Sequence, residues 1–127
     1  MLLLFVMLGA ALGGVFRYLV AGLVTRVCGE QFPWGTLGVN VLGSFLLGLL
    51  LGAGSLAQAG GPTGEAGFAF FGIGFCGGLT TFSTFSLQSF ALVSGQAWGR
   101  SLANIVGGVL LCCLCVVGGY LIGEGWV

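Results

Sequence analysis

A chain of 127 residues that is 57% hydrophobic and only 5% charged, with a mean hydropathy of +1.17, cannot keep a surface wetted. A soluble domain carries roughly 25% charged residues, so this is an integral membrane protein. Its ionic side chains are Arg17, Arg26, Arg100, Glu30, Glu65 and Glu124, with no Lys, Asp or His and zero net charge. That excludes nucleic acid as a partner, and it excludes an enzyme, because acid–base catalysis needs a titratable pair near neutral pH.

A bilayer span takes ~20 mostly apolar residues, and four such stretches fit, at about 2–24, 34–57, 67–93 and 101–122, within a single membrane domain covering 1–127. The first opens MLLLFVMLGAALGG without the basic start of a signal peptide, and its apolar run continues past Arg17 and Tyr18, so it reads as a retained span. The separators TRVCGEQFP, QAGGPTGEA and SGQAWGR hold most of the charges and turn formers, and Trp34, Trp98 and Trp126 fall near span ends, as an aromatic belt requires. Four spans put both termini on one side. Arg26 and Arg100 fall on the other, so the positive-inside rule places the termini outside; so small a bias is also what a chain inserting both ways would show.

Glycine occurs 27 times, and small-xxx-small pairs recur at Gly9/Gly13, Gly48/Gly52, Gly74/Gly78 and Gly119/Gly123. In lipid such pairs let helix backbones approach closely, so tight helix–helix contact is expected. Four short helices enclose little, and a water-filled path therefore calls for an oligomer, most simply a dimer.

The second span carries Thr36, Asn40, Ser44, Gly48 and Gly52 at every fourth position, one face of a helix. A helix seam accounts for Thr36 and the glycines. Asn40 is as well suited to an anion site as to a seam, because its buried amide donors must be satisfied and carry no fixed charge.

The third span interrupts itself with Gly77-Gly78-Leu79-Thr80-Thr81-Phe82-Ser83-Thr84-Phe85. Two glycines cost ~2 kcal/mol of helix propensity relative to alanine, and two β-branched threonines follow, so the helix is expected to break over 77–81. Broken backbone at membrane depth survives only when buried in protein or lining a cavity; its freed carbonyls suit a dehydrated cation, and the next half-helix's N-terminus suits an anion. Phe82 and Phe85 share a face beyond the break; two Phe at this spacing ordinarily mean lipid contact or core, and ring edges beside Asn40 could alternatively solvate a small anion weakly. In the fourth span, Cys112-Cys113-Leu114-Cys115 has CxxC spacing but no second ligand pair and no His, and reads as small apolar packing.

These residues resemble the CrcB/Fluc family of fluoride channels over nearly the whole chain: GGVFRY in the first span, GTLGVNVLGSFLLG in the second and GFCGGLTTFSTFS in the third. The resemblance implies an all-α membrane protein of four transmembrane helices with the third broken at mid-membrane, assembled as an antiparallel dual-topology homodimer with two fluoride pathways. It implies a structural Na⁺ between the breaks, held by the backbone carbonyls of Gly77 and Thr80 of each copy. It places Asn40, Phe82 and Phe85 on the fluoride path, with Ser83 and Thr84 as motif hydroxyls and Arg17 near the vestibule. The family places Tyr, Ser or Thr along the fourth span, whereas here the stretch SLANIVGGVLLCCLCVVGG has Asn104 as its lone polar side chain beyond the first residue.

The expected function is passive, fluoride-selective export across the cell's inner membrane, with the fluoride ion, the bilayer and an inverted second copy as partners. One alternative is a non-conducting or half-path subunit paired with a paralogous chain, motivated by the polar-poor fourth span and the arginine asymmetry. Another is a small four-helix multidrug exporter, which would need an intramembrane carboxylate that none of the expected spans contains.

Overall fold

The computed structural model describes residues 1–54 and 62–126, and within them four helical stretches are long and apolar enough to cross a membrane. Helix α1 is Leu2–Cys28 and α2 is Trp34–Ala53. Helix α3 spans residues 62–79, α-helical over Pro62–Phe68, π-helical over Ala69–Cys76 and ending in a single α turn, Gly77–Leu79. After a break come α4, Phe82–Ser94, and α5, Trp98–Glu124, the latter with a π-helical stretch at Ala103–Gly107.

The helix ends follow local chemistry. Helix α1 runs past residue 24 because nothing in VTRVC stops a helix before Gly29, which takes φ 87°. Helix α2 stops at Ala53 where Gly54 adopts the left-handed conformation, φ 56°, the usual end of a helix at glycine. The expected residues 55–57 of the second span, and part of the separator after it, lie outside the described residues. Trp98 opens α5 three residues ahead of the expected start at 101.

The four glycine pairs resolve into two seams. Gly9 and Gly13 of α1 lie against the α3 backbone at Phe70 and Phe75, while Gly74 and Gly78 of α3 lie against α1 between Val6 and Ala10. Gly48 and Gly52 of α2 meet the α5 backbone at Val116 and Tyr120, and Gly119 and Gly123 of α5 meet α2 between Phe45 and Ala53. At Gly48 an added Cβ would come 3.0 Å from the Tyr120 amide nitrogen, and at Gly119 the same distance from that of Leu49. Backbone atoms cannot rotate away, so any larger residue would separate the helices. Among the described residues, Val39 and Leu79, 0% and 1% exposed, are the most enclosed apolar side chains. Much of the remaining Leu, Val and Phe faces outward, as it does when lipid rather than water is the solvent.

The third span does break, but later than the glycines imply. Cys76 and Gly77 keep right-handed helical torsions, and helical geometry continues through Leu79. The extended residues are Thr80 (φ −83°, ψ 156°) and Thr81 (φ −149°, ψ 121°). Gly78 is a packing residue: a Cβ there would run into the Ala10 backbone. In a membrane an unpaired backbone group costs several kcal/mol, more than glycine's ~1 kcal/mol propensity penalty, so the glycines stay helical. The break falls where side chains stand ready to replace the lost backbone partners.

Candidate functional site

Those replacement partners are specific. The Asn40 carboxamide of α2 pairs with both sides of Thr81: the Thr81 amide donates to Asn40 Oδ1 at 2.8 Å, and Asn40 Nδ2 donates to the Thr81 carbonyl at 3.0 Å. Asn40 thus stands in for a neighbouring strand. The Thr80 amide and hydroxyl both donate to the Cys76 carbonyl, each at 3.0 Å, closing the C-terminal end of α3. Arg17 of α1 donates from Nη1 to the Thr80 carbonyl at 3.3 Å. The Thr81 hydroxyl caps α4, accepting from the Thr84 amide at 3.3 Å, donating to Thr84 Oγ1 at 3.1 Å, and lying 3.3 Å from Ser83 Oγ. Threonine is a favoured residue for this position.

The break therefore has two chemically opposite ends. With the Thr81 amide turned to Asn40, the Gly77 carbonyl lacks the i+4 donor that a continuous helix would give it. Together with the Thr80 carbonyl this makes a pair of uncharged oxygens of the kind hard cations accept, although Arg17 already donates to one of them. On the other side, α4 begins at Phe82 with its N-terminus, the positive end of the helix dipole and a ready anion site.

A cavity of about 440 Å³ opens at this junction. Asn40 and Ser44 line it from α2, Gly77, Thr80 and Thr81 from the break, Phe82 and Phe85 from α4, and Gly108, Cys112 and Cys113 from α5. The Phe82 and Phe85 rings lie with centroids 5.7 Å apart, tilted by 42°. Of the residues singled out in the sequence, the structure thus gathers Asn40, Phe82, Phe85, Gly77 and Thr80 around one space. Arg17, Ser83 and Thr84 do not line it; they brace its edges through the bonds to Thr80 and Thr81. The polar stripe of α2 divides accordingly, Asn40 and Ser44 facing the cavity while Gly48 and Gly52 form the seam with α5.

Two features were not foreseen. Cys112 and Cys113, read as packing, form part of the cavity wall; spacing alone could not say which face of α5 turns inward. Asn104 is 1% exposed and donates to Ser89 Oγ at 2.8 Å, beside Ser101, whose hydroxyl donates to the Ser89 carbonyl at 2.9 Å. The one signal for this cluster was that Asn104 is so isolated in an apolar span.

A family model described as CrcB-like protein, Camphor Resistance (CrcB), matches residues 4–120. Among similar curated proteins, a chain of Opitutus terrae named as a fluoride-specific ion channel is 45% identical over 126 residues, covering 98% of this chain and 93% of that one. Chains of the same name from Methylobacterium radiotolerans and Shewanella loihica are 43% and 44% identical, covering 95% and 94% of this chain and 83% and 90% of their own. With a matching family model across nearly its full length and relatives this similar, the chain belongs to the CrcB/Fluc family.

Proposed function

We propose that the protein is a fluoride-selective channel that lets F⁻ leave the cytoplasm passively through the inner membrane. The observation that carries this reading is the convergence, on one mid-span cavity, of the α4 N-terminus, the Asn40 amide and the Phe82 and Phe85 rings. The curated relatives' shared name supports fluoride as the ion.

Fluoride binds its water tightly, so a path must replace that hydration without trapping the ion. The site offers donors but no fixed positive charge on its wall. Asn40 spends one amide proton on Thr81 and has a second to offer. The α4 amides add the favourable end of a helix dipole, and ring edges provide weak positive potential. Chloride, being larger and a poorer acceptor, gains less from the same narrow donors.

The functional unit in this reading is an antiparallel dual-topology homodimer. Gly77 is exposed, has no neighbouring atom within 4 Å of where a Cβ would stand, and borders the cavity, so a second copy can close over the break. The carbonyls of Gly77 and Thr80 from each copy would hold a Na⁺ there. That ion supplies structural cross-linking of the two breaks and is not transported.

Liposomes containing the purified protein test the function: they should release fluoride rapidly and chloride far more slowly, and equal fluxes refute the reading. A second reading, a half-path subunit that needs a paralogous partner, is favoured by one observation. The α5 side of the cavity offers Gly108, Cys112 and Cys113 rather than hydroxyls. Fluoride release by the homodimer alone would eliminate it.

A further inference from the structure

We propose that Asn104 and Gly108 of α5 are positioning residues that set where the Phe85 ring stands, an inference that rests on the channel reading above. Asn104 is not among the residues lining the cavity. At 1% exposure it is nevertheless one of the most buried side chains in the protein, and a buried amide in an apolar span is costly unless its bonds are made. They run in one direction. Asn104 Nδ2 donates to Ser89 Oγ at 2.8 Å, and Ser89 Oγ donates to the Phe85 carbonyl, also at 2.8 Å. A hydroxyl has a single proton, so with that proton committed to Phe85 the Ser89 oxygen must accept, and only a donor such as the Asn104 amide can serve it. The relay ends on the backbone of the residue that carries the ring.

The ring itself meets α5 at Gly108. A Cβ at that position would come 3.2 Å from Phe85 Cε2, tighter than ordinary contact, so Gly108 provides the seat. Asn104 lies within the π-helical stretch Ala103–Gly107, which runs directly into Gly108. Such stretches often mark functional places in helices. Asn104 and Gly108 lie four positions apart and so share a face of α5, which lets one helix reach the backbone of Phe85 by way of Ser89 and its ring directly. Ser101 adds a further tie by donating to the Ser89 carbonyl at 2.9 Å.

The test compares Asn104→Leu, Ser89→Ala, Ser89→Thr and Gly108→Ala in liposome flux, each also in a Phe85→Leu background. Para-fluorophenylalanine incorporated at position 85 reports ring environment by fluorine NMR, whether or not the protein conducts. Asn104→Leu and Ser89→Ala should each lower fluoride flux about three- to tenfold, the worth of one interhelical hydrogen bond, and shift the fluorine signal. Ser89→Thr, which keeps the hydroxyl, should restore both. Gly108→Ala should move the signal and lower the fluoride-to-chloride ratio. In the Phe85→Leu background the Asn104 and Ser89 effects should vanish, because they act through the ring. An unmoved fluorine signal in Asn104→Leu and Ser89→Ala overturns the proposal, as does an equal flux loss with and without Phe85. If the native protein releases no fluoride, the channel reading fails by itself, while the fluorine signal still decides whether α5 positions the ring. Should Asn104→Leu not fold, the Ser89 pair and Gly108→Ala decide the matter.

Discussion

Replacing Asn40 with leucine removes the group that holds the break open while roughly keeping side-chain size. Two backbone groups lose partners: the Thr81 amide, bonded at 2.8 Å, and the Thr81 carbonyl, bonded at 3.0 Å. Thr81 is 8% exposed, and an unsatisfied buried group costs about 1–3 kcal/mol. The pair would cost about 2–6 kcal/mol if both stayed bare. The adjacent cavity, about 440 Å³, is far larger than the ~10–15 Å³ that admits one water, so one of the two groups can be rehydrated. That leaves a loss of about 1–3 kcal/mol, which equilibrium unfolding of the purified protein in detergent can resolve. Fluoride flux should fall together with stability. A variant with native stability would mean that Asn40 does not hold the break, and that the extended preference of Thr80-Thr81 suffices without it.

Asn40→Asp keeps the acceptor for the Thr81 amide but sets a negative charge beside the cavity; at ~4 Å and an effective dielectric near 20 it repels an anion by about 4 kcal/mol, so fluoride flux should drop about 10³-fold, and near-native flux would contradict the path. Gly48→Ala should destabilise by about 1–3 kcal/mol, because its Cβ meets α5 backbone, whereas Gly22→Ala, which meets nothing within 4 Å, should be neutral or slightly stabilising; thermal unfolding distinguishes them, and equal effects would count against the seam. Cys76 lines the cavity as well, so in a Cys28→Ala/Cys76→Ala/Cys115→Ala background a methanethiosulfonate reagent should block flux by adding to the thiols at Cys112 and Cys113. Further replacement of both by serine should abolish the block, and flux unaffected by the reagent while both thiols are present would show that the α5 wall is elsewhere. Arg17→Gln retains a donor for the Thr80 carbonyl; its flux should stay near native and change with ionic strength no more than the parent's does, while a loss seen only at low salt would assign Arg17 to anion steering.

The four helices were legible because span length and hydropathy are one-dimensional properties, and so was the presence of close seams. Their pairing was not: Gly9/Gly13 and Gly48/Gly52 carry the same spacing, and nothing local says that the first meets α3 and the second α5. The break was legible over 77–81, and of the two features that pointed to it the β-branched Thr80-Thr81 mark the place while Gly77-Gly78 stay helical. What satisfies it was not legible, because the lost backbone partners of Thr81 are replaced from Asn40, 41 residues away, a contact that no window along the chain contains. Asn104 was invisible as a positioning group for the same reason. Its bond to Ser89 spans 15 positions, and it starts from a π-helical stretch that a 3.6-residue template does not describe.

A site for ions built almost without ionisable groups follows from the geometry of a cut helix. An intact helix spreads its dipole over its length, with about half a charge at either end. Cutting it between Leu79 and Phe82 leaves a carbonyl end and an amide end separated by two residues along the chain, so one interruption favours a cation at one end and an anion at the other. Arg17 belongs to the carbonyl face, bound to the Thr80 oxygen and absent from the cavity wall. Its position matters kinetically. A full positive charge ~4 Å from the anion would hold it by about 4 kcal/mol at an effective dielectric near 20, slowing its departure about 10³-fold, whereas neutral donors contribute about 1 kcal/mol each. The arrangement that keeps the guanidinium on the carbonyl side is therefore the arrangement that lets an anion leave.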